Sequence, residues 1–178
     1  MIFFTADTHF HHADSIKYFG RPFKDIEHMN NALIQNWNEC VKENDEVYIL
    51  GDFSVSHNGL ETEKILKKLN GRKYLIKGNH EHYLDDSNFN FTNFEWVKDY
   101  FVFEHNKQNF VLFHYPIFVW DGFFENTAIH LYGHVHNMLN NKAEQEKFKV
   151  LGKKAINVGV DMNNYFPISI EEIIKRTE

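Results

Sequence analysis

The order of elements predicts an α/β protein with mixed sheets that could pack face to face, with helices outside. Three observations carry this expectation. In the first half, strand-like runs alternate with helical stripes as βαβαβ, the order of a parallel sheet with covering helices. In the second half, short apolar runs are separated by turns, which adds strands in another arrangement. And one strand after another runs abruptly from apolar residues into Asp, Asn and His.

Residues 2–6 (IFFTA) read as the first strand. Residues 25–41 place Ile26, Met29, Leu33, Trp37, Cys40 and Val41 at spacings of three and four, a helical stripe. Residues 46–50 (EVYIL) return to strand. Residues 60–69 carry Leu60, Ile65, Leu66 and Leu69 on one helix, stopped by Asn70-Gly71. The third strand is 73–77. Segments 96–104 and 108–114 read as a hairpin joined by an Asn106–Gln108 turn, followed by strands 128–132 (AIHLY) and 155–160 (AINVGV). A polar, lysine-rich loop covers 137–149. Ser169 with Glu172 forms a capping box for a final helix through Arg176. No repeat or linker interrupts the chain, so one domain over 1–178 is expected.

Composition narrows the function. Of 178 residues, 43% are apolar and 25% charged, as in globular proteins. The single cysteine, Cys40, excludes an internal disulfide and a Cys-based zinc or iron–sulfur site, and reads as a small buried hydrophobe. MIFFTAD turns polar too soon for a signal peptide, and no apolar stretch approaches the ~20 residues of a membrane span, so a reducing cytoplasm and no membrane partner are expected. A net charge of −6 without long basic runs disfavours broad binding to nucleic acid, although a small phosphorylated ligand at a bound metal remains open. The 12 histidines need a reason.

In open α/β sheets, ligands collect at the carboxyl ends of strands. Here those ends are Asp7-Thr8-His9, Gly51-Asp52, Gly78-Asn79-His80-Glu81, His114-Tyr115-Pro116 and Gly133-His134-Val135-His136. Each motif alone is weak; five in succession are not explained by solvation or packing. In an extended segment His134 and His136 would face one site. Asp7, Asp52, Asn79, His9, His114, His134 and His136 would serve two ions if Asp52 bridges. Two such ions acidify a bridging water and steady both oxygens of an in-line displacement at phosphorus. Imidazole and carboxylate without thiolate suit Mn, Fe, Zn, Ni or Co, with Mn favoured here, rather than calcium or magnesium. His80, left over beside Asn79, is placed to give a proton to the leaving alkoxide; hydrogen bonding to a ligand carboxylate is its plainer alternative.

This set of motifs resembles the signature of the calcineurin-like metallophosphoesterase superfamily, in order from residue 7 to 136. NVGVD (157–161) and FPISIEEI (166–173) resemble the tail of its small single-domain bacterial and phage members. The resemblance implies a four-layer sandwich of two mixed sheets flanked by helices. It assigns Asp7, His9, Asp52 and His136 to one metal, and Asp52, Asn79, His114 and His134 to the other. His80 matches the family's proton-donating or phosphate-contacting histidine. GDFSVS lacks the acid and arginine that protein phosphatases carry beyond the bridging aspartate, which lowers support for that activity. The carboxylate orienting His80 is left among Glu81, Asp121 and Asp161.

Of the three arginines, Arg21 in YFGRPF lies in the loop after the first motif and resembles an RPF element of small family members. Arg21 is therefore a candidate phosphate clamp, with an exposed connector residue as its alternative. His12 is a second candidate contact to substrate. Tyr115 and Trp120 could wall the pocket or pack in the core. The expected function is hydrolysis of a phosphomonoester or phosphodiester of a small molecule or nucleotide by a metal-bridging hydroxide. The alternatives are a nuclease or phosphodiesterase acting on nucleic acid and a non-catalytic metal-binding scaffold.

Overall fold

The computed structural model describes residues 1–137 and 146–178. The first sheet comprises β1 (Ile2–Thr5), β2 (Glu46–Leu50), β3 (Arg72–Ile76), β4 (Trp96–Lys98) and β9 (Ile168–Ser169), in the order β4-β3-β2-β1-β9. Its pairs are parallel except for antiparallel β9. The second comprises β5 (Tyr100–His105), β6 (Gln108–Phe113), β7 (Ala128–Tyr132) and β8 (Ala155–Asn157) in sequence order, antiparallel at the β5–β6 hairpin and parallel beyond it. Four α-helices have both ends among the described residues: α1 (Ala13–Tyr18), α2 (Ile26–Cys40), α3 (Gly59–Leu66) and α4 (Ile170–Thr177). The expected α/β sandwich of two mixed sheets flanked by helices is therefore present.

The pleat explains the layering, because successive side chains along a strand point to opposite faces. Phe3, Val47, Ile49 and Leu75 meet Met29, Leu33 and Trp37 of α2 and Ile65 and Leu66 of α3. Their neighbours Phe4, Tyr48, Leu50 and Ile76 face the other way, against Phe110, Leu112, Ile129 and Leu131 of the second sheet. Strands buried on both faces read as continuous apolar runs, which is why they were easy to find in the sequence. Each such side chain stabilises the fold by roughly 1.5–3 kcal/mol on burial. The outer face of the second sheet packs Val111, Ala128 and Tyr132 against Trp120, Val135 and Leu151, so in the described residues much of that cover is loop.

Several boundaries differ from the sequence reading. The run 96–104 splits at Asp99: β4 closes the first sheet and β5 opens the second, while Trp96, Phe101 and Phe103 all reach the core between the sheets. The hairpin turn is Asn106-Lys107, both with positive φ (50° and 65°), which matches the twist of the flanking strands. The strand expected over 155–160 ends at Asn157 and gives way to a 3-10 turn, Val160–Met162. The helix expected over 60–69 stops at Leu66 and is capped by the Asn58 side chain, which accepts from Glu61 N. Ser169 accepts from Glu172 N, but the Glu172 carboxylate turns to Arg176 instead of closing the box. Cys40 is half-buried at the edge of the helix-side core. The expected loop 137–149 falls mostly outside the described residues; 146–148 are helical. Among the described residues, no helix is long and apolar enough to cross a membrane.

Candidate metal centre

Five strands end at one edge of the sandwich. Asp7 and His9 follow β1, Asp52 follows β2, Asn79 and His80 follow β3, His114 follows β6, and His134 and His136 follow β7. Backbone bonds between these ends, Asp7 N to Gly51 O and His9 N to Asp52 O (both 3.0 Å) and Gly133 N to His114 O (2.9 Å), hold them together. A single parallel bridge, Ala6 to Gly159, joins the two halves behind Asp7. Two ligand groups result: Asp7, His9 and His136, and Asp52, His114 and His134, each with its donor atoms within 4.8 Å of one another. Asp52 Oδ2 lies between them, 3.6 Å from His9 Nε2 and 3.5 Å from His114 Nε2. Asn79 Oδ1 joins the second group, 3.2 Å from His114 Nε2.

The donor set fits divalent ions. His114 Nδ1 sits 2.7 Å from Leu50 O and His136 Nδ1 2.7 Å from Asp161 Oδ2, so each ring carries its proton there and turns the lone pair of Nε2 inward. His9 Nε2 and His136 Nε2 face each other at 3.2 Å, a pairing that needs a proton or a cation between them. Asp52 Oδ1 is held by the backbone N–H groups of Asn79 (2.9 Å) and His80 (3.0 Å), which aims Oδ2 at the centre. Four imidazoles, two carboxylates and an amide suit borderline transition ions better than magnesium or calcium.

The backbone carries strain at the same place. Five of the seven ligand candidates, Asp7, His9, Asp52, His134 and His136, have left-handed φ between 46° and 69°. Such residues cost about 1 kcal/mol or more each and collect at functional sites. Gly51 serves the same turn at φ 85°, and a Cβ there would lie 2.5 Å from His114 Nδ1. A Cβ on Gly133 would come 2.8 Å from Asp7 Oδ2.

Burial and pairing set the charges. Burial pushes Asp7 up to about 6. Burial would also raise Asp52, but its pairing with His114 outweighs this and holds it at about 2. Burial would lower His114; with no ion bound the same pairing wins and lifts it to about 9, so an ion at Nε2 would displace a proton there. Burial drives His9 down to about 2, keeping it neutral.

The remaining site residues divide. His80 lies at the mouth, half-buried, with its ring 5.2 Å from that of His9. None of its three candidate orienting carboxylates reaches its ring among the described residues. Glu81 accepts from Phe53 N (2.9 Å) and Gly78 N (2.6 Å), Asp161 binds His136, and Asp121 is exposed. Burial raises Glu81 to about 7. His12 also stands at the mouth, with Nδ1 3.2 Å from His9 Nδ1. Tyr115 flanks His134 at 4.7 Å between rings, whereas Trp120 is buried in the outer core.

Two expectations need correction. Arg21 is not placed to clamp a phosphate: its side chain is 0% exposed and its donors go to Asp161, Thr8 O, Asp7 O and Met29 Sδ. His134 and His136 do not lie on an extended segment; both are left-handed, Val135 between them enters the core, and the two rings join different groups. Sequence reasoning missed Phe19, which stacks on His136 at 3.5 Å, and Asn157, whose Nδ2 donates to His136 O. Only the NVGVD stretch hinted at the second.

No family model matches the chain. It is 36% identical to "Uncharacterized protein MJ1445" of Methanocaldococcus jannaschii, across 99% of this chain and 91% of that protein. A solved structure, the protein of unknown function AQ665 from Aquifex aeolicus, matches with a TM-score of 0.74 and 30% identity over 98% of both chains. A Streptococcus pneumoniae protein described as a predicted phosphoesterase matches far more weakly, with a TM-score of 0.36 and 17% identity over 76% of this chain and 62% of that one.

Proposed function

The chain belongs to the same family as the M. jannaschii and A. aeolicus proteins, and from the site it carries we propose that it is a metal-dependent phosphoric ester hydrolase of the calcineurin-like metallophosphoesterase type. The observation that carries this reading is the pair of adjacent ligand groups with Asp52 Oδ2 between them. Asp7, His9, His136 and Asp52 would hold one ion; Asp52, Asn79, His114 and His134 the other, with manganese the first ion to try. Two divalent ions held there would polarise a phosphoryl group and acidify water.

The chain's own residues do the rest. His80, whose backbone N–H donates to Asp52 Oδ1, stands beside the centre as the proton donor to the departing alkoxide. His12, its ring 6.3 Å from that of His80, offers Nε2 to a phosphoryl oxygen. The substrate is a small phosphorylated molecule or nucleotide, as monoester or diester.

The test is hydrolysis of aryl phosphate mono- and diesters by manganese-loaded protein, with His80→Ala alongside. Metal-dependent turnover that falls about 10²- to 10⁴-fold in a variant with unchanged metal content supports the reading. If the folded, fully loaded wild type turns over neither ester, general phosphoesterase activity is lost and a metal-binding scaffold takes its place.

A further inference from the structure

Arg21 is enclosed in protein beside the candidate metal centre, and apart from a contact with Met29 Sδ its side-chain donors lead back to one half of that centre. Its guanidinium grips the Asp161 carboxylate with two parallel bonds, Nε to Oδ1 at 2.8 Å and Nη2 to Oδ2 at 2.9 Å. Both side chains are sealed from solvent, at 0% and 1% exposure. Asp161 Oδ2 in turn accepts from His136 Nδ1 at 2.7 Å. The other edge of the guanidinium donates to Asp7 O (Nη2, 2.7 Å) and Thr8 O (Nη1, 2.9 Å). It thus spans the turn that presents Asp7 and His9, both held at left-handed φ. Asp7, His9 and His136 are together the first ligand group. Among the described residues no such carboxylate–guanidinium pair backs the second group: His114 Nδ1 faces the neutral Leu50 O.

We infer that Arg21 and Asp161 are positioning residues that set the affinity of one metal position, the one formed by Asp7, His9 and His136, and leave the other unchanged. The inference rests on the metal-centre reading above. Asp161 fixes the His136 tautomer that bares Nε2, and its charge makes that nitrogen a stronger donor. Arg21 neutralises Asp161 in a place where a lone carboxylate would be costly, and ties it to the strained Asp7–His9 turn. A lysine cannot substitute, because a single ammonium lacks the planar fork that serves the carboxylate and two carbonyls at once. In Asp161→Asn the amide can turn its NH2 toward Nδ1, which moves the imidazole proton to Nε2 and blocks ligation.

The test compares wild type, Arg21→Lys and Asp161→Asn by elemental analysis after manganese or zinc loading and dialysis, by calorimetric titration with the same ions, and by circular dichroism for folding. Wild type is expected to retain two ions per chain and the folded variants one, with affinity for the lost ion reduced about 10- to 100-fold and the other unchanged. Independently of any variant, ¹⁵N spectra of metal-free wild type should show His136 protonated at Nδ1. Folded variants that bind both ions with wild-type affinity, or His136 protonated at Nε2, overturn the inference. Arg21→Lys with intact metal binding and only a raised KM would restore Arg21 as a substrate contact. A wild type that binds no ion removes the metal-centre reading itself, and this inference with it. If neither variant folds, the tautomer decides.

Discussion

Gly78→Ala is the most economical way to disturb the centre without touching a ligand. Gly78 does not adopt a left-handed backbone, so the glycine is there for room. An added Cβ would lie 2.3 Å from Asp52 Oδ1, 2.7 Å from Asp52 N and 3.0 Å from His114 Cε1. Ordinary contact needs about 3.5 Å, so Asp52 or the Gly78–His80 turn must give by roughly 1 Å. Overpacking of this kind costs about 1–3 kcal/mol. The shift also breaks or stretches the two backbone bonds to Asp52 Oδ1, each worth about 1.5–3 kcal/mol because the acceptor is charged. If both are lost the protein should be destabilised by roughly 4–9 kcal/mol, overpacking and the two bonds together. If the turn swings away instead, stability survives, but Asn79 and His80 move by about 1 Å, enough to reduce turnover about 10²-fold. Urea unfolding, ion titration and ester hydrolysis separate the two routes. Gly152→Ala is the control: it has nothing within 4 Å, but φ 70° and ψ −173° is backbone essentially restricted to glycine, so it should lose about 1–3 kcal/mol and leave turnover unchanged. Gly78→Ala with wild-type stability, ion binding and turnover would refute the close-approach argument.

Acid should destabilise the fold through His130, which is fully buried, accepts from Ile117 N at 3.3 Å and is held by burial at about 4 instead of 6.5. Above pH 6.5 the imidazole is neutral in both states; as pH falls from 6.5 through 4 the unfolded chain takes a proton that the folded one refuses, so about 3 kcal/mol is lost. Urea unfolding from pH 7 to 4 should show this loss in wild type but not in His130→Gln, and parallel pH slopes would contradict it. Chelation should lower the melting temperature, because ions bound only by the folded chain at a thousand times Kd stabilise it by about 4 kcal/mol each. Identical melts with EDTA and with manganese would count against a bound pair.

The ligand set was legible because each member is a residue of ligating type directly after an apolar run, and parallel strands bring such ends to one edge. What surrounds the ligands was not legible. The role of Arg21 depends on Asp161, 140 residues away, and a local RPF motif carries no trace of that partner. His134 and His136 were assigned a common direction from strand periodicity, but a left-handed turn, not pleating, governs Gly133–His136. The sheet boundary at Asp99 was hidden because both sheets use the same core between them, so the apolar pattern continues across it. Phe19 sits on a short connector whose packing against His136 has no periodic signal.

A pair of ions sharing Asp52 would be seen most simply as metal content per folded chain, measured for wild type beside Asp52→Asn. The variant can keep its amide oxygen toward Asn79 N and His80 N, which turns a non-ligating NH2 toward His9 and His114. Wild type should hold close to two ions, with both positions weakened together in Asp52→Asn. One ion at most in wild type, or two ions held at wild-type affinity by the variant, would contradict a shared pair.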